Sequence, residues 1–272
     1  MQVFSNMQAF PKLLRPLLVL LLLLPAGCAK SPSNGSTSPV SGPQLIVTMT
    51  VAGNINPNYY YYILFNVNNT PGPNNTSVTG PVPVVAAPYG NGYAAGAYTN
   101  YVESNSGVPG GTNFNYFAPI ASTNLLQSVT LGQGKLIQPL IQGNTLTFQL
   151  PLAYLATSTV TADQINSLEV NFIATNAVPV NGQNITTAKY FDTLYPPQQA
   201  GNSYVTLPIR DANGTLLTRF FSNANDAVNE GSGDVAQYVN GVPIIVTGTT
   251  GDGVTTNDLD ITNWSINLTA GS

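Results

Sequence analysis

Histidine is absent from the 272-residue sequence, and cysteine occurs once, at position 28. Without histidine, the Ser-His-Asp and Cys-His arrangements of nucleophilic catalysis are excluded in their usual forms. Zinc sites that are built from His and Cys ligands are excluded for the same reason. The few Gly-x-Gly stretches lack the rest of any phosphate-binding fingerprint. The sequence therefore contains no recognisable catalytic motif, and any catalysis would have to depend on carboxylates.

Charged side chains are also scarce: they make up 7% of the sequence, against roughly 25% in average soluble domains. After residue 27 the chain has five cations and eleven acids, which gives a net charge of −6. The five cations are Lys30, Lys135, Lys189, Arg210 and Arg219. Because proteins bind nucleic acid largely by neutralising phosphates with Lys and Arg, nucleic acid is not an expected partner.

The first 27 residues have the pattern of a leader that is removed from the mature protein. Lys12 and Arg15 precede a leucine-rich run that is too short to span a bilayer. The segment ends in "LPAGCAK", which resembles the lipobox of bacterial lipoproteins, although Pro25 stands where that family usually has Leu. The resemblance implies that Cys28 becomes a lipidated N-terminus and anchors the protein to a membrane. The alternative is an ordinary cleaved signal with an incidental cysteine.

The residue after the cysteine bears on localisation. Ala29 occupies the position where a signal for inner-membrane retention would carry Asp, so the resemblance implies the outer membrane or the cell surface. Residues 29–43 are rich in Ser, Pro and Gly, a composition typical of a flexible tether. The predicted organisation is a leader (1–27), a lipidated cysteine with its tether (28–43) and one β-sandwich domain (44–272). The alternative is that this domain is divided in two, with a boundary near residues 176–200.

Alternating apolar and polar residues predict strands along the rest of the chain. "QLIVTMTV", "TLTFQLPL" and "LEVNFIAT" each place their large apolar side chains on one face. Asn213-Gly214 predicts a tight hairpin turn. No helical pattern longer than three turns occurs, so we expect an all-β fold. The spacing of the short strands favours an antiparallel β-sandwich of the immunoglobulin-like or jelly-roll-like type, with at most short helical turns.

Four consecutive tyrosines, at positions 59 to 62, raise the question of an aromatic binding surface. A period of two assigns Tyr59 and Tyr61 to an apolar core face and the other two to the opposite face. Sugar rings stack on exposed aromatic side chains, so tyrosines outside the core are candidates for carbohydrate binding. The alternative is that tyrosine serves here only as a good strand former. The candidate ligand-binding residues are Tyr60, Tyr62, Tyr98 and Tyr101.

Eight of the eleven acids lie after residue 190, mostly in the Asn- and Gly-rich loops "NANDAVNEGSGD" and "GDGVTTNDLD". Calcium takes about six to eight oxygen ligands, which such loops supply, although neither loop has EF-hand spacing. The alternative is that these acids stabilise ordinary turns. Paired carboxylates in either loop, Asp226 with Glu230 or Asp258 with Asp260, are also what a glycosidase would need. The candidate calcium ligands are Asp226, Glu230, Asp234, Asp252, Asp258 and Asp260.

The order of "YYYYILFNVNN", "NTLTFQLPLAYL" and "LEVNFIATN" resembles the DOMON and family-9 carbohydrate-binding-module type of β-sandwich, over roughly residues 44–176. The resemblance implies binding of sugars or haem. Haem ligation in that family uses Met or His, whereas this chain has no His and its only methionine after the leader, Met49, lies on an apolar strand face. Haem is therefore not expected, and calcium is the only candidate cofactor.

The combined expectation is a lipid-anchored, non-catalytic binding module of the cell envelope. Its expected partners are the membrane, through the anchor, and polysaccharide or other envelope proteins. One alternative is a structural or assembly subunit of a surface complex with no small ligand. The other is a carboxylate-dependent, glycoside-active enzyme.

Overall fold

A computed structural model of the protein describes residues 41–70, 80–83, 94–106, 114–119, 128–130, 135–178, 188–195, 204–226, 233–239 and 242–271. The chain divides into the units Met1–Pro39 and Val40–Ser272, and every described residue belongs to the second unit. The predicted leader, Cys28 and most of the predicted tether lie outside the described residues. Within the described ranges, no helix has the length and apolar character needed to cross a membrane.

Strands dominate the described part of the chain, as the sequence predicts. Three short 3₁₀ turns accompany them, at Leu152–Leu155, Ala162–Gln164 and Thr256–Asp258. In chain order the strands are β1 (Gln44–Val51), β2 (Tyr60–Asn68), β3 (Val82–Pro83), β4 (Ala94–Ala95), β5 (Asn100–Ser104), β6 (Phe114–Pro119), β7 (Ser128–Thr130), β8 (Ile137–Gln142), β9 (Thr145–Pro151), β10 (Ser167–Thr175), β11 (Tyr190–Thr193), β12 (Val205–Pro208), β13 (Arg219–Ser222), β14 (Ala236–Val239), β15 (Val242–Ile245) and β16 (Ile261–Thr269).

Two antiparallel sheets pack together, which confirms the predicted β-sandwich. The first sheet has the strand order β13-β16-β1-β9-β8. The second has nine strands in the order β15-β14-β11-β10-β2-β5-β6-β7, with β12 also paired to β10. The β3-β4 pair forms a separate ribbon. The strands predicted from "QLIVTMTV", "TLTFQLPL" and "LEVNFIAT" are β1, β9 and β10.

The core lies between the two sheets and is built by the predicted alternation. Along β1 the side chains alternate strictly between partly exposed and buried positions. Across the interface, the ring of Trp264 on β16 lies 5.7 Å from the ring of Phe172 on β10, measured between centroids. Trp264 is 1% exposed and belongs to the core. Every residue of β10 is buried, because this strand is covered on both faces of its sheet.

The predicted turn at Asn213-Gly214 exists, but it does not join a conventional hairpin. Gly214 adopts a left-handed backbone, with a φ of 79°, and its N–H donates to the carbonyl of Asp211. Such a φ is readily available only to glycine. Only an isolated bridge, between Arg210 and Leu216, pairs the two segments that flank the turn. The strand before the turn, β12, belongs to the nine-stranded sheet, and the strand after it, β13, belongs to the five-stranded sheet. The turn therefore carries the chain from one layer to the other.

The sandwich has two ends, which are used below to locate side chains. At the Gln44 end, β1 begins beside the last residues of β9 and β16. At the Val51 end, β1 finishes beside Ile261, the first residue of β16. The N–H of Ile261 donates to the carboxylate of Asp192 on β11, at 2.6 Å, so this end also contains the last residues of β10 and the strand beside it.

Candidate functional site

The tyrosine run divides between the two faces of β2, as predicted. Tyr59 and Tyr61 point into the core and are 9% and 1% exposed. The hydroxyl of Tyr61 accepts a hydrogen bond from the N–H of Asn56 and donates one to the carbonyl of Asp258, both at 2.8 Å. These contacts tie β2 to the loop before β16. Tyr60 and Tyr62 lie on the outer face of the nine-stranded sheet.

The four candidate ligand-binding tyrosines meet on that outer face, but two of them are covered. The rings of Tyr60 and Tyr62 are parallel, with centroids 6.3 Å apart, and Tyr101 packs edge-on against both Tyr62 and Tyr98. Tyr62 and Tyr101 are only 1% and 3% exposed, because they belong to a second apolar cluster that includes Leu64. They therefore do not offer the open stacking surface that the sequence suggested, and only Tyr60 and Tyr98 are partly exposed.

Glu103 lies beside these rings, and it was not among the residues predicted from the sequence. It stands on β5 directly opposite Tyr62, and it is partly buried. Burial raises the pKa of its carboxyl group to about 7, and burial, followed by the charge of Glu103, raises the pKa of the Tyr60 hydroxyl. The signal that could have revealed it is an acid in the alternating strand "NYVES", two residues from Tyr101 and on the same face.

Two of the predicted calcium ligands, Asp226 and Asp258, are hydrogen-bonded to other described residues. Asp226 forms an ion pair with Arg219 at 2.8 Å and accepts from the N–H of Ser222. Asp258 accepts from the N–H of Asn54, 204 residues away in sequence, at 2.9 Å. The remaining four candidates differ in their surroundings. Asp252 accepts from the hydroxyls of Tyr190 and Thr250, Glu230 lies outside the described residues, and Asp234 and Asp260 meet each other.

Asp192, Asp234 and Asp260 form the aspartate cluster, at the Val51 end. One carboxylate oxygen from each residue lies within 4.8 Å of the other two. Asp192 projects into the core from β11 and accepts from the N–H groups of Thr193 and Ile261. The carboxylate of Asp260 accepts from the N–H of Gly233 at 2.8 Å. Oδ1 of Asp234 is buried and accepts no hydrogen bond from a described residue.

The three carboxylates of the aspartate cluster need a nearby cation if all of them are to be ionised. Burial, followed by the charge of Asp234, raises the pKa of Asp192 well above its usual range. Burial and the charge of Asp260 raise the pKa of Asp234 to about 6. Carboxylates this close together cannot all be ionised in a buried site unless a cation neutralises them. The cluster can therefore hold a hard cation such as calcium, for which carboxylate oxygens are preferred ligands, or it can retain protons.

Each of the four cations that the structure describes contacts another group. Lys135 lies over the ring of Tyr154, with Nζ 4.1 Å from the centroid, and Lys189 lies 5.7 Å from the ring centroid of Phe191. Burial lowers the pKa of Lys189 to about 7, which weakens it as a cation. The other two described cations are the arginines. The guanidinium of Arg210 donates to the carbonyls of Gly214 and Ala162, and that of Arg219 pairs with Asp226.

Asp192 is the member of the cluster that was not predicted from the sequence. It alternates with Tyr190 on the core-facing side of β11, so it is an acid at a core position. An acid at a core position of an alternating strand is the pattern that could have indicated Asp192 from the sequence.

The chain matches no protein-family model, and neither a curated protein nor a solved structure matches it. The resemblance of residues 44–176 to DOMON and family-9 modules therefore stays a prediction.

Proposed function

We propose that the protein is a lipid-anchored lipoprotein of the cell envelope whose β-sandwich is a non-catalytic binding module. The observation that carries this proposal is the position of the only cysteine, directly after a leucine-rich leader and ahead of a sandwich that begins at Gln44. A thioether-linked diacylglyceryl group, together with a further acyl chain, would supply a stable anchor. By the resemblance, the location is the outer membrane or the cell surface, and the ligand is polysaccharide.

The anchor is tested by fractionating cells that express the full-length chain or its Cys28→Ser variant. The unchanged protein should sediment with membranes, in the outer-membrane fraction if the host has one. Cys28→Ser should move to the soluble fraction, because it removes the acceptor of the lipid. A variant that still sediments with membranes after a salt wash would contradict the lipid anchor.

The binding function is tested with a glycan array, using the soluble Cys28→Ser chain. Tyr60→Ala removes a partly exposed ring of the outer face. It should weaken binding to any glycan that the chain with Tyr60 binds on the array. Tyr59→Phe is the matched control, since Tyr59 lies in the core. An array without any bound glycan would instead favour a structural or assembly subunit.

As a second proposal, the aspartate cluster holds a structural calcium ion. The supporting observation is the convergence of three carboxylates, together with the buried oxygen of Asp234 that no described residue satisfies. Asp192 extends from the nine-stranded sheet, and Asp260 directly precedes β16 of the other sheet. An ion held by both would join the two layers at the Val51 end. Its expected role is stability, because nothing about the cluster requires chemistry on a substrate.

A further inference from the structure

Glu103 is a partly buried acid, and no described residue forms an ion pair with it. Its strand neighbours on the outer face are Tyr62 on β2 and Asn115 on β6. No ion pair or hydrogen bond joins its carboxylate to another described residue. Asn115 is 4% exposed, so the neighbours close the floor of the site, while Glu103 and Tyr60 remain partly open to solvent.

Among the described residues, no cation forms an ion pair with Glu103. Only five cations follow residue 27, and four of them are described. Lys135 contacts the ring of Tyr154 and Lys189 that of Phe191. Arg210 donates to backbone carbonyls, and Arg219 pairs with Asp226. The fifth, Lys30, lies outside the described residues. In a mature chain without residues 1–27, a cation that approaches Glu103 would come from a ligand or from Lys30, and removing Lys30 distinguishes the two.

Aromatic rings beside a carboxylate select cations of a particular kind. An organic ammonium group gains from the negative face of a tyrosine ring, by about 0.5–2 kcal/mol, in addition to its attraction to the carboxylate. A small, strongly hydrated metal ion gains less from such rings and would need more oxygen ligands than one carboxylate provides. The partly exposed ring of Tyr60 lies on the strand directly beside Glu103, and the parallel ring of Tyr62 behind it is buried.

We propose that Glu103 and Tyr60, whose ring is parallel to that of the buried Tyr62, form a binding site for an organic ammonium group carried by a sugar, such as a glucosamine residue with an unmodified amine. The inference deepens the proposed binding function and rests on it. The carboxylate would bind the amine, and the partly exposed ring of Tyr60 would contact the apolar face of the sugar. A lysine side chain carries the same ammonium chemistry, but it lacks the flat apolar face that a tyrosine ring stacks on.

Isothermal titration calorimetry with three probes of equal length tests the proposal on the soluble, full mature Cys28→Ser chain. The probes are a glucosamine tetramer, an N-acetylglucosamine tetramer and tetralysine, at neutral pH and low salt. The glucosamine tetramer should bind at least about tenfold more tightly than the other two. Glu103→Gln should reduce its affinity at least about tenfold while changing the affinity for the neutral tetramer by less than about twofold.

Three further variants separate recognition from folding and from general charge. Glu103→Asp keeps the charge and should retain part of the preference. Asp163→Asn makes the same change in net charge at an exposed position outside the site and should have no effect. Lys30→Ala should leave the affinity for the glucosamine tetramer unchanged, whereas an increase would mean that Lys30 normally occupies the site and would overturn the proposal. Unchanged thermal unfolding of each variant confirms that it is folded.

The outcomes also separate this inference from the proposed function. Equal binding of the cationic and neutral tetramers would overturn ammonium recognition and leave the carbohydrate-binding module intact. Tighter binding of tetralysine would overturn the sugar as the source of the amine. Absence of binding to any probe would overturn the inference. Membrane fractionation of Cys28→Ser, which does not depend on Glu103, decides the lipid anchor separately.

Discussion

Calcium added to the metal-free protein should raise its midpoint of thermal unfolding, because the three carboxylates of the aspartate cluster converge only in the folded chain. A ligand that binds the folded state alone, at a concentration of about 100 times its dissociation constant, stabilises it by about 2.7 kcal/mol. For a domain of about 150–250 residues, each kcal/mol moves the midpoint by about 2–4 °C. The expected rise is therefore about 5–10 °C.

The fluorescence of Trp264 provides the assay, since it is the only tryptophan and it is 1% exposed in the folded protein. The soluble Cys28→Ser chain is unfolded by heating with a chelator and then with millimolar calcium. Asp192→Asn removes one ligand of the aspartate cluster and should abolish the calcium-dependent rise. With the chelator present, it should not lower the midpoint, because it also removes repulsion between buried carboxylates.

Asp252→Asn is the matched control. It removes an acid at the same end of the sandwich whose carboxylate accepts from Tyr190 and lies outside the aspartate cluster. The calcium-dependent rise should persist in this variant. An unchanged midpoint on adding calcium to the unsubstituted cluster would refute the calcium site and leave protons as the neutralising species. A rise that survives Asp192→Asn would place the ion elsewhere.

Two further predictions concern stability. Burial raises the pKa of Asp234 to about 6 and of Glu103 to about 7, so their contribution to the unfolding free energy is largest below about pH 4 and is lost as the pH rises through these values. For Glu103 this loss is up to about 3 kcal/mol. Denaturant titrations at several pH values should show that the unfolding free energy of Glu103→Gln falls less with rising pH than that of the unchanged chain. An identical fall in the two proteins would contradict the raised pKa of Glu103. Gly53→Ala would place a methyl group against the backbone at Asn257 and should destabilise by about 1–3 kcal/mol, whereas Gly251→Ala, with open space around it, should be nearly neutral in the same titrations.

The alternation of side chains made much of the fold predictable. β1, β9 and β10 were identifiable because their apolar residues recur with a period of two, which is a local property of the sequence. The same rule separated Tyr59 and Tyr61 from Tyr60 and Tyr62 correctly. It did not predict the burial of Tyr62, because that depends on a second apolar cluster built from residues distant in sequence, such as Ile173 and Ala94.

The candidate metal centre was only partly predictable, for a related reason. Loop composition marked Asp234 and Asp260 as candidate ligands, but it marked Asp226 and Asp252 equally. Asp192 joins the first two because β11 pairs with β10 in a register that turns its side chain inward, towards β16. Sequence spacing carries no information about that register, since the three residues come from separate segments of the chain.

Mass spectrometry of the N-terminal peptide of the mature protein, purified from the membrane fraction, tests the lipid anchor most directly. The mature chain should begin at Cys28, and this residue should carry a diacylglyceryl group. A mature protein that begins elsewhere, or that carries an unmodified Cys28, would contradict the lipid anchor.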